Sequence, residues 1–327
     1  MTARIPETLA DITPAWLSAA LGAPVETVMA ENANATTADA ARLRLTYAPG
    51  AAPDLPTHVF FKASQRRNET LFYQHIAPHM PDAPVLPALA AGYNDEQERG
   101  FALLPDVSET HSDGEGLGGV PDEVKDAAWL ALADIHARWW AQTESLLPIS
   151  EDIYAFVFSV ARDGYAAFAE AAAETLTQET AVLYDRLLAG WPFPALTQRL
   201  ATAPLTVVHG DPHYGNLLLP RRPGGTLLWV DWAVWHLNLA ASDVSYMLDW
   251  QVESDLSRIR LYHDRLTSHG IAYSWAEFER DYRLTALAHL VWPPFWQSFG
   301  LPERIWSETL KSMGERAAAM GLAELLG

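Results

Sequence analysis

The chain has 327 residues, of which 49% are hydrophobic and 19% charged, and its formal net charge is −19. This length exceeds that of a usual single domain, so two domains or lobes are expected in a globular protein. The acidic balance argues against a nucleic-acid or anionic-membrane partner, because no basic surface is available to replace phosphate counterions. The lack of cysteine excludes disulfides, thiolate metal sites and a cysteine nucleophile.

The N-terminal segment has no basic stretch followed by an apolar one, which argues against a signal peptide. No apolar run approaches the ~20 residues that a membrane-spanning helix needs. We therefore expect a cytoplasmic protein.

The first part of the sequence is predicted to form a small antiparallel sheet with one helix. Thr13 and Pro14 are an N-cap and N1 pair that opens a short helix ending near Gly22. A helix at 68–77 follows the third of four β-rich segments, and a turn rich in Pro and Gly, APGAAPDLP, separates the second from the third. The four segments read PVETVMAE, ARLRLTY, HVFFKA and RGFALLPDV.

The remainder is predicted to be mainly helical. Pro121, with two acidic residues after it, starts a helix that runs to about Gln142. Three short strand-like pieces lie between 205 and 231. Further helices are expected at 153–173, 178–200, 239–250, 254–269, 275–292 and 303–324. The pattern predicts an α+β fold in which a sheet-rich lobe precedes a larger helical one.

The segment VVHGDPHYGNLLL concentrates polar side chains between two short apolar runs. Asp211 precedes Asn216 by five residues, and Asp231 follows at the end of the apolar strand TLLWV. Asn216 and Asp231 offer the oxygen ligands that suit Mg²⁺. Asp211 is suited to accept a proton from a hydroxyl as a general base. This order has the spacing of the protein-kinase catalytic loop and its metal-binding aspartate.

The N-terminal part supplies the other residues that such a loop requires. Lys62 lies late in a strand with Phe60 on the same face, and Glu69 lies on the helix that follows. Phe72 and Tyr73, with Ile76, have the spacing of that helix's core face. A strand lysine paired with a helix glutamate holds the α- and β-phosphates of a nucleotide in kinases.

With these motifs the chain resembles the aminoglycoside phosphotransferase-type kinases, a group that includes choline kinases and ecdysteroid kinase-like enzymes. Over roughly residues 25–320, the motifs of this group occur in the chain in the group's order. They are Lys62, Glu69 in ExxFY, LLPDV, LADIHARWW, HGDPHYGN, VDW and ASDVSYMLDW. The resemblance implies a two-lobed protein-kinase-like fold. Residues 1–106 would be the nucleotide-binding lobe with the hinge at its end, and 107–327 the helical lobe with the catalytic loop and acceptor pocket.

The resemblance implies an O-phosphotransferase that uses ATP (or GTP) and Mg²⁺ to phosphorylate a hydroxyl of a small molecule. Asp211 would be the catalytic residue. Pro105 would contact adenine through its C=O, which proline retains, and Val107 through its N–H. His209 would brace the catalytic loop, and Asp243 would anchor the loop's backbone.

The turn ENANATTADAARL departs from the kinase pattern, because it has no glycine where kinases cover the phosphates with a glycine-rich turn. Thr36 and Thr37 can turn the chain and form hydrogen bonds in its place.

The acceptor is expected to contact a set of residues, mostly aromatic, that follows the metal-site strand. Its members are Trp232, Trp235, His236, Asp249, Trp250 and Glu253. The aromatic share favours an apolar or mixed acceptor, such as an antibiotic or another natural product. The net charge of −19 also suits a cationic one.

Two other functions stay open at this point. The run His209-x-Asp211-x-His213, with Asp231 and His236 as further ligands, is compatible with a metallohydrolase. The glycine-free turn is compatible with a catalytically silent kinase-like binding protein. The sequence does not indicate whether the protein is a monomer or a dimer.

Overall fold

The structure, a computed structural model, describes residues 4–32, 39–113, 120–150, 152–222, 224–250 and 257–326. Its strands are β1 Val25–Asn32, β2 Asp39–Tyr47, β3 His58–Ser64, β4 Ala90–Asn94, β5 Arg99–Pro105, β6 His111–Asp113, β7 Thr206–Val208, β8 Leu217–Pro220, β9 Leu228–Trp229 and β10 His236–Asn238. Its helices are α1 Pro14–Leu21, α2 Arg67–His75, α3 Asp122–Trp139, α4 Ile153–Ala171, α5 Gln178–Gly190, α6 Pro194–Thr202, α7 Ala241–Trp250, α8 Ser257–Ser268, α9 Trp275–His289, α10 Trp292–Ser298 and α11 Glu303–Ala319.

The chain divides into two compact units, which we call the first and the second unit. The first consists of Met1–Val120 and Tyr214–Trp235, and the second of Pro121–His213 and His236–Gly327. Within the described ranges, every helix is too short or too polar to cross a membrane.

The first unit contains an antiparallel sheet with the strand order β1-β2-β3-β5-β4. In β3, Val59, Phe61 and Ala63 are buried, whereas Phe60 and Lys62 are partly exposed on the opposite face. This alternation follows from the two-residue repeat of a strand, and it was predicted for Phe60 and Lys62. Lys62 is thereby held on the face away from the sheet's apolar core.

Helix α2 follows β3 after a short connection. Its buried face includes Phe72, Tyr73 and, just past its end, Ile76, as the helical spacing predicts. Glu69 is in the first turn of the same helix and is also buried, with 4% of its surface exposed. A buried carboxylate requires a partner, which the neighbouring strand provides.

A second sheet of the first unit has the order β6-β8-β9. In the β8–β9 hairpin, Leu217 pairs with Trp229, and the N–H of Val230 donates to the C=O of Asn216 at 3.0 Å. This register brings Asn216 and Asp231 to the same end of the hairpin. Strand β6 lies between the predicted strand RGFALLPDV and the predicted helix at Pro121, where no strand was predicted, and it forms because it pairs with β8.

The second unit is mainly helical, as predicted. Helix α3 packs against α8, α4 against α10, and α7 against α9. Strands β7 and β10 form a short antiparallel pair that positions the HGD segment immediately after β7. The apolar core of this unit includes the large side chains Phe158, Phe168, Tyr184, Trp292, Trp296 and Trp306.

Two predicted helices are each divided in the structure. The helix expected at 178–200 is α5 and α6, because Pro192 cannot donate the hydrogen bond that would continue a helix and Pro194 occupies the first turn of the next one. The helix expected at 275–292 ends at His289, and α10 begins at Trp292 with prolines in its first turn.

Candidate active site

Lys62 lies between two carboxylates of the first unit. Its Nζ is 2.9 Å from Oε1 of Glu69 and 3.0 Å from Oδ1 of Asp231. Burial disfavours the charge of Lys62, but Glu69 and Asp231 raise the pKa of this amine above its ordinary value. Burial raises the pKa of Glu69, and Lys62 opposes that rise. The sequence predicted the Lys62–Glu69 pair, and the structure places Asp231 on the same amine.

The end of the β8–β9 hairpin presents the predicted metal ligands, Asn216 and Asp231. Asn216 closes a 3-10 turn directly before β8, and the Asp231 side chain is 41% exposed. Asp231 has φ +64°, a left-handed conformation that is uncommon for a residue other than glycine. Such strained backbone is concentrated at functional sites. A carboxylate and an amide oxygen at a hairpin end fit Mg²⁺, which binds few protein oxygens and keeps several waters.

Asp211 of the second unit follows strand β7 directly, with Gly210 at φ +82° in the turn before it. Its Oδ1 accepts a hydrogen bond from the hydroxyl of Tyr246, and its Oδ2 is 3.5 Å from Nε2 of His213. Burial raises the pKa of the Asp211 carboxyl, but His213, Tyr246 and His209 together lower it to about 2. With 34% of its side chain exposed, Asp211 is an ionised and accessible carboxylate at neutral pH.

The backbone before Asp211 is held by Asp243 of α7. The N–H groups of His209 and Gly210 donate to the Asp243 carboxylate at 2.6 and 2.9 Å. His136 of α3 contacts the same carboxylate at 3.1 Å through Nε2. Two successive backbone N–H groups directed at one anion fix the conformation of the loop.

The roles of the other residues predicted to contact the nucleotide stay predictions. Phe60 shares the partly exposed face of β3 with Lys62. Pro105 ends β5, and the C=O of Val107 accepts from the N–H groups of Thr110 and His111. Thr36 and Thr37 lie outside the described residues.

Contrary to the expectation that they line an acceptor pocket, Trp232 and Trp235 are completely buried within the first unit. The Trp232 ring stacks on Phe72 with 4.0 Å between centroids, and its Nε1 donates to Trp229. Nε1 of Trp235 donates to the C=O of Asn68 at 2.6 Å. Both rings are packing groups, because no face of either is open to a ligand.

The remaining members of the predicted acceptor set lie in the second unit or outside the described residues. His236 and Asp249 are buried in the second unit, with 4% and 3% of their surfaces exposed. Arg316 binds Asp249 at 2.6 Å. Trp250 is the last residue of α7, and Glu253 lies outside the described residues.

The metallohydrolase interpretation lacks a ligand cluster. Within the part of the chain that the structure describes, no group of three or more His, Cys, Asp or Glu side chains is arranged to hold a metal ion. His209 of the proposed run is fully buried, and its Nδ1 accepts the N–H of Asp211 at 3.3 Å.

The contact of Tyr246 with Asp211 was not predicted from the sequence. Tyr246 lies three residues after Asp243, so both side chains are on one face of α7. The sequence ASDVSYML shows this spacing. The contact of Tyr246 with Asp211, however, depends on how α7 packs against the loop that carries Asp211.

A family model described as the phosphotransferase enzyme family matches residues 56–278. No curated protein sequence matches the chain significantly.

Several solved structures have the same fold. A spectinomycin phosphotransferase in complex with ADP and spectinomycin is 13% identical, with a TM-score of 0.56 over 97% of this chain and 100% of that one. A choline kinase from Cryptosporidium parvum is 11% identical, with a TM-score of 0.55 over 95% of both chains. A choline/ethanolamine kinase family protein from Mesorhizobium loti is 14% identical, with a TM-score of 0.53 over 91% of both chains. The predicted two-lobed, protein-kinase-like α+β fold is confirmed.

Proposed function

Because the chain belongs to the phosphotransferase enzyme family, we propose that it transfers the γ-phosphoryl group of ATP (or GTP) to a hydroxyl of a small molecule. The observation that carries this proposal is the position of Lys62, 2.9 Å from Glu69 and 3.0 Å from Asp231. Kinases hold nucleotide phosphates with a strand lysine that a helix glutamate orients. A purely structural ion pair needs one carboxylate rather than a second one on a strained, half-exposed hairpin end.

In this proposal the first unit binds the nucleotide. Lys62 contacts the α- and β-phosphates, and Glu69 keeps its ammonium group in place. Asn216 and Asp231 hold Mg²⁺, which neutralises charge on the phosphate oxygens when bound. Phe60 contacts the base from the same strand face as Lys62, and the C=O of Pro105 and N–H of Val107 bind its polar edge.

Asp211 acts on the acceptor. Its carboxylate accepts the proton of the acceptor hydroxyl while the hydroxyl oxygen forms a bond to the γ-phosphorus. The bond between that phosphorus and the bridging oxygen breaks, and the nucleoside diphosphate leaves. An acid with a pKa of about 2 is a weak base, so the main contribution of Asp211 is to orient the hydroxyl.

We propose an antibiotic or another natural product as the acceptor. One neighbour of the same fold is a spectinomycin phosphotransferase solved with its antibiotic, and two others are described as choline or choline/ethanolamine kinases. The net charge of −19 favours the approach of a cationic acceptor.

The test is a coupled ADP-release assay with Mg·ATP over aminoglycosides, spectinomycin, macrolides, sterols, choline-like alcohols and sugars. With the acceptor that gives turnover, Asp211→Asn should lower kcat by roughly 10²–10⁴-fold if the carboxylate receives the proton. The variant should still bind Mg·ATP, because the proposed ligands of the nucleotide and the metal, Lys62, Asn216 and Asp231, are unchanged.

Asp163→Asn is the matched control. It makes the same change at an exposed carboxylate of the second unit, whose side chain is 68% exposed, and should leave kcat unchanged. Wild-type turnover in Asp211→Asn would rule out its assigned role. ATP binding without ADP release for any acceptor would favour a catalytically silent binding protein.

A further inference from the structure

Helix α7 contacts the catalytic loop at two points. Asp243 accepts the backbone N–H groups of His209 and Gly210, and Tyr246, one turn later, donates its hydroxyl to Oδ1 of Asp211. The first contact fixes the path of the loop backbone. It does not restrain rotation of the Asp211 side chain about its own bonds. The second contact restrains that rotation at Oδ1, while His213 Nε2 lies 3.5 Å from Oδ2.

Tyr246 is itself rigidly held. It is 4% exposed, and three rings surround it nearly at right angles. The ring centroids of His289, Trp292 and Trp296 lie 5.9, 5.4 and 6.2 Å from that of Tyr246, at interplanar angles of 84°, 88° and 90°. Edge-to-face packing of this kind restricts an aromatic ring to one orientation. The hydroxyl is therefore a fixed donor.

We propose that Tyr246 is a positioning residue for phosphoryl transfer, because its hydroxyl fixes the plane of the Asp211 carboxylate and so directs the oxygen that receives the acceptor's proton. This inference rests on the proposed function. The proton moves to Asp211 and not to Tyr246, which remains a donor throughout.

The surroundings keep Tyr246 protonated. Burial, with the neighbouring Asp211 and Asp243, raises the pKa of the Tyr246 phenol well above its ordinary value. Among the described residues, His209 and His213 from its own loop and Tyr246 from α7 are titratable groups that lower the pKa of the Asp211 carboxyl. Of these, only Tyr246 approaches from a regular element, so its removal changes orientation as well as charge stabilisation.

Tyr246→Phe removes the hydroxyl and keeps the ring. The matched control is Tyr154→Phe, which removes a hydroxyl that is equally buried in the second unit but contacts Ser242 and His289 at 2.8 and 2.9 Å rather than Asp211. Both variants lose one buried hydroxyl together with its hydrogen bonding. A general effect on packing would therefore appear in both, and a positioning effect only in Tyr246→Phe.

The first measurement needs no acceptor. In the full chain labelled with ¹³C at aspartate carboxyls, and with the Asp211 signal assigned from Asp211→Asn, the titration midpoint of Asp211 should move to higher pH in Tyr246→Phe. It should stay at the wild-type value in Tyr154→Phe. An unchanged Asp211 titration in Tyr246→Phe would overturn the proposal, whether or not the chain is a phosphotransferase.

The second measurement is steady-state ADP release from Mg·ATP, with water as the acceptor. Loss of a hydrogen bond to a charged group predicts a kcat about 10-fold lower in Tyr246→Phe, with an unchanged KM for ATP. The acidic limb of its pH profile should move to higher pH. Equal kcat and pH profiles for the two tyrosine variants would also overturn the proposal. Absence of ADP release in the wild type both with water and with every acceptor of the screen contradicts the proposed function instead, and the carboxyl titration then decides the role of Tyr246.

Discussion

Glu69 is a buried carboxylate of the first unit. Its side chain is 5% exposed, and that of Lys62 is 15% exposed. The free energy of such a pair depends on both partners being present, since a buried charge that loses its partner costs far more than the pair contributes. Lys62 therefore stabilises the fold as well as carrying its proposed role toward the nucleotide.

Lys62→Met should lower the free energy of unfolding by about 3–5 kcal/mol at pH 8. Burial raises the pKa of Glu69 in the folded protein, and without Lys62 it rises further. The folded state then holds a proton that the unfolded state has released, so stability falls as pH rises above the ordinary pKa of glutamate. The decrease in the free energy of unfolding relative to the wild type should be smaller at pH 5 than at pH 8, as measured by urea denaturation.

Lys62→Met combined with Glu69→Gln is the control for this experiment. The double variant should regain much of the lost stability, and the pH dependence that Lys62→Met adds to that of the wild type should disappear, because no buried charge remains at these two positions. Equal destabilisation at both pH values in the single variant would show that Glu69 is not the group left unpaired.

Sequence spacing identified site residues that are close in the chain or have fixed offsets. Lys62 and Glu69 are seven residues apart, so a strand, a turn and a helix bring them together at 2.9 Å. Tyr246 and Asp211 meet only through tertiary packing, which no offset predicts. Likewise, composition cannot distinguish a tryptophan that lines a pocket from one that is covered, as Trp232 and Trp235 are.

The predicted helices that are divided in the structure are divided at prolines. Apolar spacing continues from α5 into α6, so periodicity alone joins the two helices. Pro192 and Pro194 separate them, because one lacks the required N–H and the other favours the first turn of a helix. The general positions of the helices were readable from the sequence. Their ends depend on local hydrogen bonding, which periodicity does not report.

Helix α6 is attached to α9 by a buried ion pair. Arg199 binds Asp281 through Nε at 2.6 Å and through Nη2 at 2.7 Å, and the Asp281 side chain is 2% exposed. Arg199→Ala leaves this carboxylate with the hydroxyl of Tyr273 at 2.9 Å and with the half-exposed Arg280, whose Nε is 3.7 Å from Oδ1, but without its two short charged hydrogen bonds. We expect a loss of about 3–5 kcal/mol in the free energy of unfolding.

Arg162→Ala, also in the second unit, is the comparison for Arg199→Ala. Arg162 pairs with Asp163 on the surface, where its side chain is 54% exposed, so its removal should cost at most about 0.5 kcal/mol. Chemical denaturation of the two variants beside the wild type gives the difference directly. Similar losses for both would mean that the α6–α9 pair contributes little.

Neither of the two compact units is a single continuous stretch of the chain. Residues 214–235 are grouped with the first unit, since β6 pairs with β8 and Val85 bridges to Trp229. These pairings join residues more than a hundred positions apart, and no local pattern in the sequence records them. The division at residue 106 into a nucleotide-binding lobe and a helical lobe with the acceptor pocket stays a prediction.

Nucleotide binding should be measurable as a change in the stability of the whole protein. A ligand that binds only the folded state at about 100 times its Kd adds about 2.7 kcal/mol to the free energy of unfolding, which raises Tm. If Asn216 and Asp231 hold Mg²⁺, then ATP with Mg²⁺ should raise the wild-type Tm more than ATP with EDTA. Asp231→Asn should abolish that difference, because it removes the only carboxylate among the proposed ligands. Asp163→Asn should retain it, and a Tm increase in Asp231→Asn that still depends on Mg²⁺ would place the metal on other residues.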